Sequence, residues 1–239
     1  MRAAVVLAAG YGKRLRPHTE QLPKPLLHVA GEPIINSLFR ALQAAGVSRL
    51  IVVTGHLGHL LEEYLTDTFS SAFDLHFVRQ EKVVGSADAL SQATETLMGL
   101  DPAYCMIVAA DYQLPQDYLQ ALVAFHDQGS QQISLSLRNI EAERAGESSL
   151  VDFGEDGEIL RINEKPETVE GRDKLVAASL IYILPTTVLD YLADVGLSKR
   201  GEKELPSVIN RMIADGITAR GLVQEEMMDW EREYRADSS

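Results

Sequence analysis

The sequence predicts an α/β fold: a Rossmann-like, mixed and mostly parallel sheet flanked by helices, with a small β-hairpin subregion attached. Three observations predict it. Apolar runs and amphipathic segments alternate from residue 3 to residue 126. The first apolar run feeds a glycine-containing loop, and after residue 133 the rhythm changes to closely spaced strands separated by a turn.

Taken in order, Ala3 to Leu7 is a short apolar run followed by glycines, the pattern of a buried strand entering a loop. Pro33 opens a segment with Ile34, Ile35, Leu38 and Leu42 on one face, ended by Gly46. That is an amphipathic helix with proline near its first turn and glycine at its stop. Leu50 to Thr54 is a second strand, His56 to Leu65 a second helix, and Leu75 to Val78 a third strand. Ala87 to Leu97 is a third helix, Tyr104 to Ala109 a fourth strand, and Pro115 to His126 a further helix. Such alternation implies a sheet covered on both faces, with ligands at the C-terminal ends of its strands. Ile133 to Leu137 is a strand, and Leu150 to Phe153 with Glu158 to Ile162 reads as a hairpin closed by the turn from Gly154 to Gly157. Val176 to Leu184 is another strand, and helices cover Thr187 to Ala193 and Leu205 to Ala214.

Composition narrows the function. No stretch approaches the roughly 20 apolar residues a membrane span requires. The start could pass for a signal peptide, but it runs into Gly12-Lys13-Arg14 rather than a small-residue cleavage site. The lone cysteine, Cys105, excludes an internal disulfide and a cysteine zinc cluster, and fits a reducing cytoplasm. A net charge of −13 argues against a nucleic-acid or acidic-membrane surface, because such surfaces need clustered Lys and Arg. The exception is local. From Met1 to Gly31 the chain carries Arg2, Lys13, Arg14, Arg16 and Lys24 against the single acid Glu20, which suits a small anion.

The loop from Leu7 to Lys24 concentrates the chemistry. Ala8, Ala9, Gly10 and Gly12 have little or no side chain, so phosphate oxygens can approach the main-chain N–H groups, while Lys13 and Arg14 add formal charge. It is not a Walker loop: the first glycine is too close to the lysine and no Ser or Thr follows. His56 and His59 have helical spacing, but no Cys or third histidine completes a metal set nearby, so they read as helix-start surface.

The run Leu7-Ala-Ala-Gly-Tyr-Gly-Lys-Arg-Leu-Arg-Pro17, continued by Leu22-Pro-Lys-Pro-Leu26, resembles the signature of the sugar-phosphate nucleotidyltransferase family. Lys13 stands where that family usually has Thr or Ser, and His18 where it has leucine. Further similar blocks follow in the family's order: Gln80, then Gly85-Ser86-Ala-Asp-Ala-Leu90, Asp111 at a strand end, and Glu164-Lys165-Pro166 after the hairpin. The resemblance implies one nucleotidyltransferase domain over 1–239, with a nucleotide-binding half (1–130) and an acceptor-binding half (131–239).

It also implies roles. Leu7 to Gly10, Gly12, Lys13 and Arg14 would hold a triphosphate, with Gln80, Gly85 and Ser86 at the base, the amide reading its edge and Gly85 leaving room for it. Asp111 and Asp229 would hold Mg²⁺, with Glu225, Glu226 and Glu231 as competitors for the second position. Arg14, Lys24 and Asp111 form the catalytic set. Lys165 would reach the acceptor phosphate, Glu164 the sugar hydroxyls, and Gly146, placed between hairpin strands, would offer a backbone contact. The expected reaction joins UTP or dTTP to a sugar 1-phosphate in the cytoplasm, possible homo-oligomerisation included. Ala178 and Leu180 replace the family's Asn and Gly, which keeps open CTP-dependent transfer to phosphocholine or another small phosphate, and a non-catalytic nucleotide sensor is the remaining alternative.

Overall fold

The computed structural model describes residues 2–166 and 175–224, together with Trp230, Glu231 and Tyr234. Strand β1 (Arg2–Leu7) leads through three short 3₁₀ turns into a small hairpin, β2 (His28–Val29) and β3 (Glu32–Pro33). There follow α1 (Ile34–Ala44), β4 (Val47–Thr54), α2 (Gly58–Phe69), β5 (Asp74–Arg79), α3 (Ser86–Gln92), α4 (Thr94–Leu100), β6 (Tyr104–Ala109) and α5 (Tyr118–Gln128). The later part supplies β7 (Ile133–Ile140), β8 (Ser149–Phe153), β9 (Ile159–Glu164), β10 (Leu175–Pro185), α6 (Val188–Leu192), α7 (Leu205–Ala214) and β11 (Ala219–Val223).

One sheet runs through both halves of the chain in the order β11-β7-β10-β6-β1-β4-β5, with β8 beside β10 and β9 beside β8. Strands β6, β1, β4 and β5 are parallel, and β10 enters antiparallel between β6 and β7. The sheet is therefore mixed, and parallel through β6, β1, β4 and β5, as the alternating sequence implies. Because side chains alternate along a strand, β1 divides its residues between two cores. Ala3 and Val5 join Ile51, Val53 and Ile107 under Leu90 of α3 and Val208, Ile209 and Met212 of α7. Ala4 and Val6 join Leu50, Val52 and Val108 under Leu38, Phe39 and Leu42 of α1 and Leu61 and Leu65 of α2. Burial on both faces is why these strands read as continuous apolar runs.

Three elements depart from the sequence reading. The helix expected over Ala87 to Leu97 is two helices, interrupted where the Ala93 N–H turns back to the Leu90 carbonyl at 3.0 Å. The helix expected from Pro115 begins at Tyr118, after a turn in which the Tyr118 N–H bonds Pro115 O at 3.2 Å. Strand β11 has no clear alternation, and its pairing with β7 is what makes it a strand. Among the described residues no helix is long and apolar enough to cross a membrane.

Phe39 is fully buried, with Phe69 and Phe73 at ring distances of 4.8 and 5.5 Å. Phe39→Ala should lower the unfolding free energy by about 3–5 kcal/mol in urea titrations, the cost of an aromatic-sized cavity. Cys105 is 1% exposed, and burial pushes its thiol pKa up to about 12. Thiolate is the reactive form, so a disulfide reagent at pH 8 should leave the native protein unlabelled and label it on unfolding.

Candidate active site

Strands β1, β5 and β6 end on the same edge of the sheet, and the segments that follow them meet there. Leu7 to Gly10, Lys24, Gln80, Gly85, Ser86 and Asp111 line one cavity of about 230 Å³, so most residues singled out from scattered positions share a site. A larger cavity of about 630 Å³ opens at the opposite edge around Tyr104, His126 and Gln131, where none of the sequence-derived candidates lies.

Within the loop after β1, the Ala8 N–H is spent on the Val53 carbonyl at 2.9 Å, an extension of the sheet. This corrects the expectation that Ala8 offers its amide to a ligand. The amides from Ala9 to Gly12 donate to no acceptor among the described residues, so the open main-chain donors begin one residue later. Gly12 has φ +59°, and a Cβ there would lie 2.8 Å from Thr19 Cγ2. Thr19 in turn donates to the Gly12 carbonyl at 2.9 Å, and a His56 ring nitrogen sits 3.2 Å from Thr19 O. His56, read from sequence as bare surface, thus buttresses the loop. Lys13 and Arg14 are exposed at its rim, with the Lys13 ammonium 5.6 Å from the Tyr11 ring.

Lys24 is the charged centre. Its ammonium bonds Asp111 and lies 2.5 Å from Glu231 Oε1, while Arg14 stands 3.7 Å from the other Glu231 oxygen. Burial by itself would depress the Lys24 pKa, but Asp111 and Glu231 outweigh it and hold the ammonium above its ordinary value. Asp111 follows β6 through Ala110, whose N–H bonds Leu7 O at 3.0 Å and so fixes the aspartate beside the loop. Trp230 is buried, donates from Nε1 to the Asp111 carbonyl at 2.8 Å, and places its ring 5.3 Å from the Lys24 ammonium. Leu15, Leu27 and Ile34 pack around it. Sequence reasoning did not assign Trp230 a part, although it is the chain's single tryptophan within an otherwise acidic and polar stretch. Asp229, Glu225 and Glu226 lie outside the described residues; Glu231, which is described, is placed on Lys24.

Gly85 has φ +123°, and the space a Cβ would need is held by the Lys203 main chain, with the Lys203 carbonyl 2.3 Å from that position. The room left by this glycine therefore serves chain packing, which corrects the expectation that it is kept for a base. Lys203 N–H bonds Val84 O at 2.7 Å, Ala87 N–H bonds Lys203 O at 2.9 Å, and the Ser86 hydroxyl accepts from Leu205 N–H at 3.0 Å.

On the second half, Gly146 lies in the 3₁₀ turn Ala142–Glu147 that leads into the hairpin, rather than between its strands. Both Glu164 oxygens are engaged, one by the Ser149 hydroxyl and the other by Arg200 at 3.2 Å. Arg200 also pairs with Glu202 at 3.3 Å and with buried Glu204, a network the sequence did not suggest. Lys165 has φ +46°, and its ammonium is 3.9 Å from Glu164. The Ala178 to Tyr182 stretch is an irregularity in the β10–β7 ladder, and Leu180 N–H donates to the Tyr112 hydroxyl at 2.8 Å. Gln80, the small residues after β1, Lys24 and Asp111 line one cavity, and Glu231 and Arg14 adjoin it through Lys24; such a set can hold a heterocycle, a polyphosphate chain and a hard divalent cation.

A family model described as nucleotidyl transferase matches residues 3–231. The chain is 28% identical over 214 residues to a bifunctional protein GlmU of Methanococcus maripaludis, covering 89% of this chain and 47% of that protein. It is 27% identical over 215 residues to the UTP--glucose-1-phosphate uridylyltransferase AglF of Haloferax volcanii, covering 90% and 85%. The chain thus spans about half the length of the GlmU relatives it matches. A crystal structure of UDP-glucose pyrophosphorylase complexed with UDP-glucose superposes with a TM-score of 0.80 at 20% identity, covering 92% of this chain and 90% of that one.

Trp230→Phe keeps the ring and removes the hydrogen bond to Asp111, and should lower stability by about 1 kcal/mol in chemical denaturation. Trp230→Ala also empties a buried site and should cost about 3–5 kcal/mol.

Proposed function

Because the chain belongs to the nucleotidyl transferase family, we propose that it transfers a nucleotidyl group from UTP or dTTP to a sugar 1-phosphate and releases pyrophosphate. The observation that carries this reading is the Lys24, Asp111 and Glu231 cluster beside the open amides from Ala9 to Gly12. The activity that AglF is named for, uridylyl transfer to glucose 1-phosphate, supports the acceptor class.

The chemistry asks for little beyond positioning and charge. A phosphate monoester is largely dianionic near neutral pH, its second pKa being about 6, so the attacking oxygen needs no general base. That oxygen forms a bond to the α-phosphorus as the bond to the bridging oxygen of pyrophosphate breaks, and negative charge builds on the departing group. The amides from Ala9 to Gly12 and the Arg14 guanidinium bind the β and γ phosphates and stabilise that charge. Lys24 holds the α-phosphate. Lys165 binds the acceptor phosphate, and Glu164, fixed by Ser149 and Arg200, faces the sugar hydroxyls.

A divalent cation fits this donor set. Arg14 and Lys24 cancel Asp111 and Glu231, so the cluster by itself offers a triphosphate no net attraction. Mg²⁺ takes oxygen ligands, commonly one or two carboxylates plus substrate phosphates, and Asp111 with Glu231 would supply the former. When bound it would supply the missing positive charge and align the two phosphates.

Arg14→Ala and Asp111→Asn should each reduce pyrophosphate release on the order of 10²-fold or more while the thermal unfolding profile stays cooperative. Near-normal turnover in both would overturn the mechanism. Screening wild type against a matrix of triphosphates and phosphate acceptors, phosphocholine included, separates sugar 1-phosphate from other acceptors, and binding without turnover on any acceptor would identify a sensor.

A further inference from the structure

We propose that Asp88 is a positioning residue that decides which kind of base edge the site accepts, by locking the side-chain amide of Gln80. The inference rests on the nucleotide reading above and deepens it. Gln80 follows β5 at the ligand edge of the sheet, its main-chain N–H bonds Thr54 O at 2.9 Å, and the residue is only 3% exposed. Its Nε2 donates to Asp88 Oδ2 at 2.7 Å and to the Gly85 carbonyl at 3.4 Å. A carboxylate and a carbonyl oxygen accept and do not donate, so both neighbours require the NH₂ end of the amide. Turning the amide over would press oxygen against two oxygens.

That leaves Oε1 for the ligand. It makes no hydrogen bond among the described residues, and Gln80 lines the cavity. An unconstrained glutamine can offer a ligand either a donor or an acceptor; this one offers only an acceptor. Uracil and thymine carry a ring N–H at the centre of the pairing edge and satisfy it. Cytosine carries a lone pair there and would set acceptor against acceptor, leaving buried groups unpaired.

Asp88 is itself held in place. It sits in the first turn of α3, whose start is anchored by the Ala87 bond to Lys203 O and by the Leu205 bond to the Ser86 hydroxyl. Its own carbonyl accepts from the Ser91 hydroxyl at 2.6 Å. The carboxylate is therefore a fixed reference for the amide. A carboxylate in a first helical turn also favours the helix dipole, a role that would affect stability without discriminating between bases.

The test is calorimetric binding of UTP, dTTP and CTP in Mg²⁺ buffer to wild type, to Asp88→Asn, and to the double variant Gln80→Glu with Asp88→Asn. Wild type should bind UTP and dTTP at least about tenfold more tightly than CTP, the scale of one unpaired buried hydrogen-bonding group. In Asp88→Asn the partner can donate to the Gln80 amide as readily as accept from it, so the ratio should fall toward unity. In the double variant the asparagine donates to one glutamate oxygen and leaves the other as a fixed acceptor, so the preference should return. An unchanged ratio in Asp88→Asn, an equal weakening for all three nucleotides, or a wild type that prefers CTP would each overturn the inference while leaving a triphosphate site. Failure of wild type to bind any triphosphate would overturn the nucleotide reading and this inference together.

Discussion

The buried ammonium of Lys24 is the constraint around which the ligand edge is organised. An ammonium taken out of water costs several kcal/mol unless paired, so its position in the loop after β1 demands carboxylates from elsewhere. The sheet order supplies the first: β6 lies beside β1, and the Ala110 bond to Leu7 O brings Asp111 alongside. The second, Glu231, comes from the far end of the chain, where Trp230 packs on Leu15, Leu27 and Ile34 and bonds the Asp111 carbonyl. The same indole faces the ammonium and adds a cation–π attraction. Three remote segments are thereby fixed to one atom.

Around this centre the work divides between side chains and main chain. The side chains of Arg14, Lys24, Asp111 and Glu231 balance one another's charge. The main chain from Ala9 to Gly12 supplies unspent donors, held open by the left-handed turn at Gly12 and by the Thr19 and His56 contacts beneath it. Preorganised donors of this kind need no rearrangement when a phosphate arrives.

The second half of the chain also shapes the edge at which the first half's candidate residues meet. The segment before α7 lays the Lys203 main chain against Gly85 and pins the start of α3, so it backs the part of the cavity lined by Gln80, Gly85 and Ser86. A few residues earlier in the same segment, Arg200 gathers Glu164, Glu202 and Glu204. One stretch therefore contacts both the hairpin that carries Lys165 and the helix that carries Asp88.

How much of this was legible in sequence follows from which forces are local. The alternation of apolar runs, the Pro33 and Gly46 punctuation of α1, and the small residues of the loop reflect sterics and burial within a few residues, and they determined the α/β class and the open backbone of the loop after β1. Motif resemblance added Gln80, Gly85 and Asp111, which the fold gathers at one cavity. The partner of Gly85 could not be read, because its empty Cβ position is filled by Lys203, more than a hundred residues away in sequence. Nor could the pairing of Glu231 with Lys24. Those are pairings between distant segments, and only the order of strands in the sheet and the packing of Trp230 against the loop decide them.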